Sequence, residues 1–136
     1  MATVSFAGFR SEEGVPLYRQ IERYVKLEAA LGNIADGDEL PSRRMLSALL
    51  GINPNTVQKA YRQLEEEGLI RSHGGAGSVL VLDDASIDRL RRELIADRLD
   101  EMIAFMKRLG FTQQDGIDFL RACWNSAEIH RRMEQE

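Results

Sequence analysis

Residues 41–64 read PSRRMLSALLGINPNTVQKAYRQL, and two short helices separated by a tight turn can be read from this stretch alone. Pro41-Ser42 opens the first helix, with Ser42 as its N-cap. Met45, Leu46, Leu49 and Leu50 are its apolar residues, and Gly51 ends it. Asn53-Pro54 then starts the second helix, an N-cap followed by a proline whose missing N–H costs nothing in the first turn. Val57, Ala60, Tyr61 and Leu64 fall at i, i+3, i+4 and i+7, one apolar stripe of a helix. Gly68 stops it.

The flanks complete the unit. Upstream, Leu17, Ile21, Tyr24, Val25 and Leu31 predict a helix over about 16–31, stopped by Gly32-Asn33. Residues 34–40 read as a loop or short strand, and 1–14 as an arm anchored by Phe6 and Phe9. Downstream, 69–72 and 78–82 predict two strands around the glycine-rich tip at 73–77. Two short helices followed by a glycine-tipped hairpin describe a winged helix-turn-helix. The fold class expected is mainly α with a small β-hairpin, with a two-helix C-terminal region. Asp83-Asp84-Ala85-Ser86 reads as the hinge into a long helix carrying Ile87, Leu90, Leu94, Leu99, Met102, Ile103, Met106 and Leu109. Gly110 breaks it, and Thr112 caps a fifth helix running through Ile117, Leu120, Ala127 and Ile129. The boundaries expected are 1–82 for the winged domain, arm included, and 83–136 for a dimerisation region.

The chain of 136 residues has a formal net charge of −4, which excludes a general polyanion binder, so a nucleic-acid surface must be local. One local reversal stands out. Between Arg43 and Leu64 lie four basic residues, Arg43, Arg44, Lys59 and Arg62, and no acidic one. In a helix-turn-helix the second helix of the pair enters the major groove. The face of that helix opposite its core stripe offers Asn55, Thr56, Gln58, Lys59, Arg62 and Gln63. Asn and Gln suit bidentate contact with adenine, Arg and Lys with guanine or phosphate. The expected partner is therefore double-stranded DNA. The competing reading is a protein-docking module on the same fold, because a polar helix face is more often only a solvated one.

The text 15–82 resembles the DNA-binding domain of the GntR family of bacterial transcription regulators. The likeness is carried by Val15-Pro16-Leu17-Tyr18-Arg19-Gln20-Ile21, Gly37-Asp38-Glu39-Leu40-Pro41-Ser42-Arg43-Arg44 and Leu46-Ser47. It continues in Gly51-Ile52-Asn53-Pro54-Asn55-Thr56-Val57, Ala60-Tyr61, Leu64-Glu65-Glu66-Glu67-Gly68-Leu69-Ile70 and Gly75-Ala76-Gly77-Ser78-Val79. The short tail and the string 53–57 resemble the YtrA-like subfamily. The resemblance implies that Arg44 contacts DNA, with Ser42 and Arg43 near phosphate. It implies recognition-helix contacts from Asn53, Asn55, Thr56, Gln58 and Lys59, and a wing tip at His73, Gly75 and Gly77. It also implies a repressor. Family members commonly carry Arg or Lys in the wing. Here His73-Gly74-Gly75-Ala76 has no fixed positive charge, which implies a weak hold on the minor groove.

Other chemistry finds no residues to carry it. His73 and His130 lie far apart in sequence and Cys123 is the one cysteine, too few N/S ligands for a metal site, so neither metal nor cofactor is expected. No activated nucleophile or carboxylate pair stands out, and the glycine-rich tip lacks the following Lys-Ser or Lys-Thr of a phosphate loop. The single cysteine fits a reducing cytoplasm, and no apolar run is long enough for a membrane span. The apolar stripe on the fourth helix needs a cover. A homodimer is expected, held by Leu90, Leu94, Met102, Met106 and Leu109 with Phe119, Leu120 and Trp124, reading an inverted-repeat operator. A tail this short is too small to enclose a drug-sized pocket of several hundred Å³. An effector is therefore expected only between subunits.

Overall fold

The computed structural model describes residues 2–73 and 77–126. In chain order its elements are α1 (Leu17–Leu31), β1 (Glu39–Leu40), α2 (Arg43–Leu50), α3 (Pro54–Glu66), β2 (Ile70–His73), β3 (Gly77–Leu80), α4 (Asp84–Arg108) and α5 (Gln113–Cys123). The punctuation of 41–64 produces the local structure it predicts. Ser42 Oγ accepts from Met45 N at 3.1 Å, and Asn53 Oδ1 accepts from Asn55 N at 2.8 Å. Gly51 takes φ +66, a left-handed conformation that closes the turn. The turn is locked by Ser47, whose Oγ donates to Ile52 O at 2.7 Å.

Val57, Ala60 and Leu64 of α3 are fully buried, and Ile21, Val25 and Leu46 meet them from α1 and α2 in one core cluster. Tyr61 is buried too, and its hydroxyl donates to Pro41 O at 2.7 Å, tying the recognition-type helix to the start of α2. Only one side of α2 is covered. Of its apolar residues Met45 and Leu49 are exposed, because a two-turn helix presents a single narrow stripe and Leu46 occupies its centre.

The three strands form an antiparallel sheet in the order β1-β3-β2, with Ile70 opposite Leu80 and Glu39 opposite Val79. This is the wing, and with α1 to α3 it makes a winged helix-turn-helix. The arm is built in more firmly than two aromatic anchors suggest. Val4 is buried and its N–H donates to Glu39 O at 2.7 Å, while Glu39 N donates to Ala2 O at 2.9 Å. Phe6 stacks on Tyr24, with Phe9 edge-on to the same ring. Pro16, expected inside α1, is its N-cap residue. With no side chain to cap the helix, Gln20 holds the entry by bonding Glu12 N, Glu12 O and Val15 O.

The chain divides into two compact units, Met1–Leu94 and Ile95–Glu136, so α4 belongs to both. Its start is capped by Asp83, whose Oδ1 accepts from Ser86 N at 2.7 Å. Ile87 and Leu90 pack into the core of the first unit. This corrects one expectation. Leu90 is 1 % exposed and covers its own domain, so it is not part of a stripe open to a second subunit. In the second unit Thr112 and Asp115 form a reciprocal capping box at the start of α5. Ala127 and Ile129, expected to continue that helix, lie outside the described residues.

Candidate nucleic-acid interface

The first turns of α2 and α3 gather the predicted contact residues. Ser42 is a half-buried cap, and Arg43 and Arg44 follow it, both exposed. Asn53 caps α3, and Asn55, Lys59 and Arg62 are exposed on the face opposite the core stripe, with Thr56 and Gln58 half-buried at its edges. Neither helix has an acidic residue in its first turn. Among the described residues none of Arg43, Arg44, Lys59 and Arg62 pairs with a carboxylate. The surface therefore combines two helix N-termini, four unpaired cations and several neutral amide and hydroxyl groups. Such a set can donate to phosphate oxygens and read base edges.

A cleft of about 140 Å³ joins this face to the wing. Arg43, Gln58, Arg62, Ser72 and Gly77 line it together with Glu65. Glu65 accepts from Ser72 N and Ser72 Oγ at 3.2 and 3.3 Å, bracing the base of the hairpin against α3. The acid-free stretch ends one residue earlier, so this carboxylate serves the wing and sits beside the basic cluster. His73 ends β2 and pairs with Gly77, the first residue of β3. Gly75 lies outside the described residues.

One neighbour of the site was not legible as such. The Lys59 ammonium lies 4.0 Å from the centroid of the Tyr18 ring, a cation–π contact from α3 to the first turn of α1. The signal available was an aromatic residue off the α1 core stripe, next to a basic one. One turn further along α1, Glu22 is buried and its Oε1 has no hydrogen-bond partner. Burial pushes its carboxyl pKa up, and the nearby Lys26, which pairs with Glu67 at 2.9 Å, offsets this only in part.

The residues expected at a dimer interface differ in exposure. Leu94 and Met106 are half-buried, while Met102, Leu109, Phe119, Leu120 and Trp124 are exposed, Trp124 by 75 %. Phe119 meets Phe111 edge-on, and Gly116 leaves room for the Met106 sulfur. Among the described residues from 95 on, none is buried. α4 and α5 frame an apolar cleft of about 550 Å³, lined by Leu99, Met102, Ile103, Met106, Phe111 and Leu120. The tail thus frames alone a space that its length did not suggest. Cys123 is a half-buried free thiol. Among the described residues no cluster of His, Cys, Asp and Glu could hold a metal, and no helix is long and apolar enough to cross a membrane.

Residues 17–80 match the family described as bacterial regulatory proteins, gntR family. A GntR family transcriptional regulator from Listeria monocytogenes is 31 % identical, superposes with a TM-score of 0.72, and aligns over 82 % of this chain and 98 % of its own. The HTH-type transcriptional repressor YtrA of Bacillus subtilis is 43 % identical over 65 residues, 48 % of this chain and 50 % of YtrA. YtrA from Sulfolobus acidocaldarius, a GntR-family transcription factor, is 32 % identical with a TM-score of 0.53, over 71 % of this chain and 99 % of its own.

Proposed function

The chain belongs to the GntR family of bacterial regulatory proteins, in its YtrA-like group, and is a DNA-binding transcription regulator; from that premise we propose that it represses transcription as a homodimer on an inverted-repeat operator. The observation that carries the reading is the capped start of α3. Asn55, Lys59 and Arg62 stand exposed beside Arg43 and Arg44, in a stretch with no carboxylate. In this reading Asn53, Asn55, Thr56 and Gln58 enter the major groove, and Lys59 of the same helix meets phosphate together with Ser42, Arg43, Arg44 and Arg62. His73, Gly75 and Gly77 bring the wing to the minor groove. Repression follows from occupying a promoter, and the B. subtilis relative is named a repressor. The work is done where bacterial DNA lies, in the cytoplasm.

Dimerisation through 83–136 is supported by the state of the tail. From residue 95 on no described side chain is buried, so this part of α4 and α5 cannot hold each other alone. Met102, Leu109, Phe119, Leu120 and Trp124 are exposed apolar residues available for a cover, with the half-buried Leu94 and Met106. A two-fold pair presents two α3 helices to two half-sites, which a single module with few base contacts needs for specificity. An effector, if one acts, enters at that interface.

Selection of bound fragments from random duplex DNA tests the proposal. The expected result is one enriched inverted repeat, with half-sites about 10 base pairs apart centre to centre or a multiple of that. Recovery of no enriched sequence would favour the docking module.

A further inference from the structure

Tyr18 and Arg19, on the first turn of α1, carry no role in the reading above. Their geometry is specific. Arg19 Nε donates to Tyr18 Oη at 3.2 Å, and the Arg19 guanidinium carbon stands 5.8 Å from the Tyr18 ring. The Lys59 ammonium stands 4.0 Å from the same ring. One tyrosine thus gathers two cations, and among the described residues neither cation pairs with a carboxylate. Because Tyr18 Oη already accepts from Arg19, its own O–H is left to donate. The Arg19 hydrogen bond holds the phenol's pKa below its usual value, which makes that O–H a better donor.

The cluster also lies at the right end of α3. Besides the apolar core, a cation–π contact joins Tyr18 of α1 to Lys59 of α3, and an ion pair joins Lys26 of α1 to Glu67, the C-cap of α3. They are displaced by about two turns in the same sense on both helices, so α1 and α3 run side by side in parallel. Tyr18, at the start of α1, therefore sits beside the half of α3 that Asn53 caps and Asn55 begins.

We propose that Tyr18, Arg19 and Lys59 form a phosphodiester-binding site through which α1 grips the DNA backbone next to the recognition helix. Tyr18 O–H and the Arg19 guanidinium donate to phosphate oxygens. Tyr18 is also a positioning residue, because its ring holds the Lys59 ammonium where a phosphate can meet it and so reduces the ordering cost of a long side chain. The site rests on the DNA-binding reading. It adds affinity without sequence preference, as backbone contacts do.

The test measures binding of the full chain to a labelled operator from the selection and to a random duplex of equal length. Fluorescence anisotropy is recorded across a salt series. The variants are Tyr18→Phe, Tyr18→Leu, Arg19→Gln, Lys59→Gln and the double Tyr18→Leu/Lys59→Gln, each checked for fold by circular dichroism. Tyr18→Phe keeps the ring and loses the hydroxyl. It should weaken both duplexes about twofold to tenfold and leave the salt slope unchanged. Arg19→Gln and Lys59→Gln should each reduce the slope by about one. Tyr18→Leu should do the same without removing a charge, and the double variant should bind no worse than its weaker parent. Should Tyr18→Leu fail to fold, Tyr18→Phe and Arg19→Gln decide alone. Wild-type affinity in these variants, or a loss confined to the operator, overturns the site and leaves the DNA-binding reading intact. A wild-type chain that binds neither duplex overturns both.

Discussion

Asn53 caps α3 and, in the proposed reading, also meets DNA, and replacing it by Asp pulls the two apart. Its Oδ1 accepts from Asn55 N at 2.8 Å, capping α3. Asn53→Ala removes that acceptor and should cost about 1 kcal/mol of stability, within a range of about 0.5–2. For a unit of this size that lowers Tm by about 4–8 °C. Asn53→Asp keeps the acceptor and adds a negative charge where the helix dipole favours one, so Tm should hold or rise slightly. DNA affinity should move the other way. A new carboxylate roughly 6 Å from a phosphate costs about 0.7–3 kcal/mol as the effective dielectric runs from 80 to 20. That is about a threefold to hundredfold loss. Thermal unfolding by circular dichroism reads the first duty and anisotropy on operator DNA reads the second. Operator affinity unchanged in a well-folded Asn53→Asp protein would refute the approach of this helix end to the phosphate backbone. A Tm as low as that of Asn53→Ala would refute the cap.

Arg44→Ala removes an exposed cation from α2 and should weaken operator and random DNA alike, with a salt slope reduced by about one. Glu22→Gln should raise stability at neutral pH by about 0.5–2 kcal/mol in denaturant titrations, because a buried carboxylate oxygen without a partner is replaced by a neutral group. The sign with pH follows from the raised pKa. Folded Glu22 binds its proton more tightly than the unfolded chain does, so wild-type stability falls as pH rises from the unfolded value through the folded one, and the variant lacks that decline. Met102→Asp combined with Leu120→Asp charges two exposed apolar positions of the tail and should give a monomer of about 15 kDa in sedimentation at micromolar concentration, against a wild-type dimer.

What was legible in the sequence is what local chemistry decides. Ser42, Gly51, Asn53 and Pro54 each act on a backbone within a few residues, so both helices of the turn and their caps follow directly. The exposure of Asn55, Lys59 and Arg62 follows in turn from the stripe at Val57, Ala60, Tyr61 and Leu64. What was not legible depends on partners distant in the chain. β1 has two residues and exists because Glu39 pairs with Val79 and bonds Val4 and Ala2. The residues from Ile87 to Leu109 read as one stripe, yet the surroundings change after Leu94, and spacing alone cannot say which partner each residue meets. Leu90 was misassigned for that reason. Tyr18 and Lys59 lie in helices separated by β1 and α2, so no spacing rule joins them. Met45 and Leu49 show the converse, apolar residues at helical spacing that the fold leaves exposed.

The central claim is sequence-specific DNA recognition by a locally basic face on an acidic chain. Its most direct test is the ratio of affinities for the selected operator and for a random duplex of equal length, measured from about 50 to 200 mM salt. The account predicts that both affinities fall steeply with salt while the operator stays tighter by about a thousandfold or more. Equal affinity for the two duplexes, or binding indifferent to salt, would contradict it.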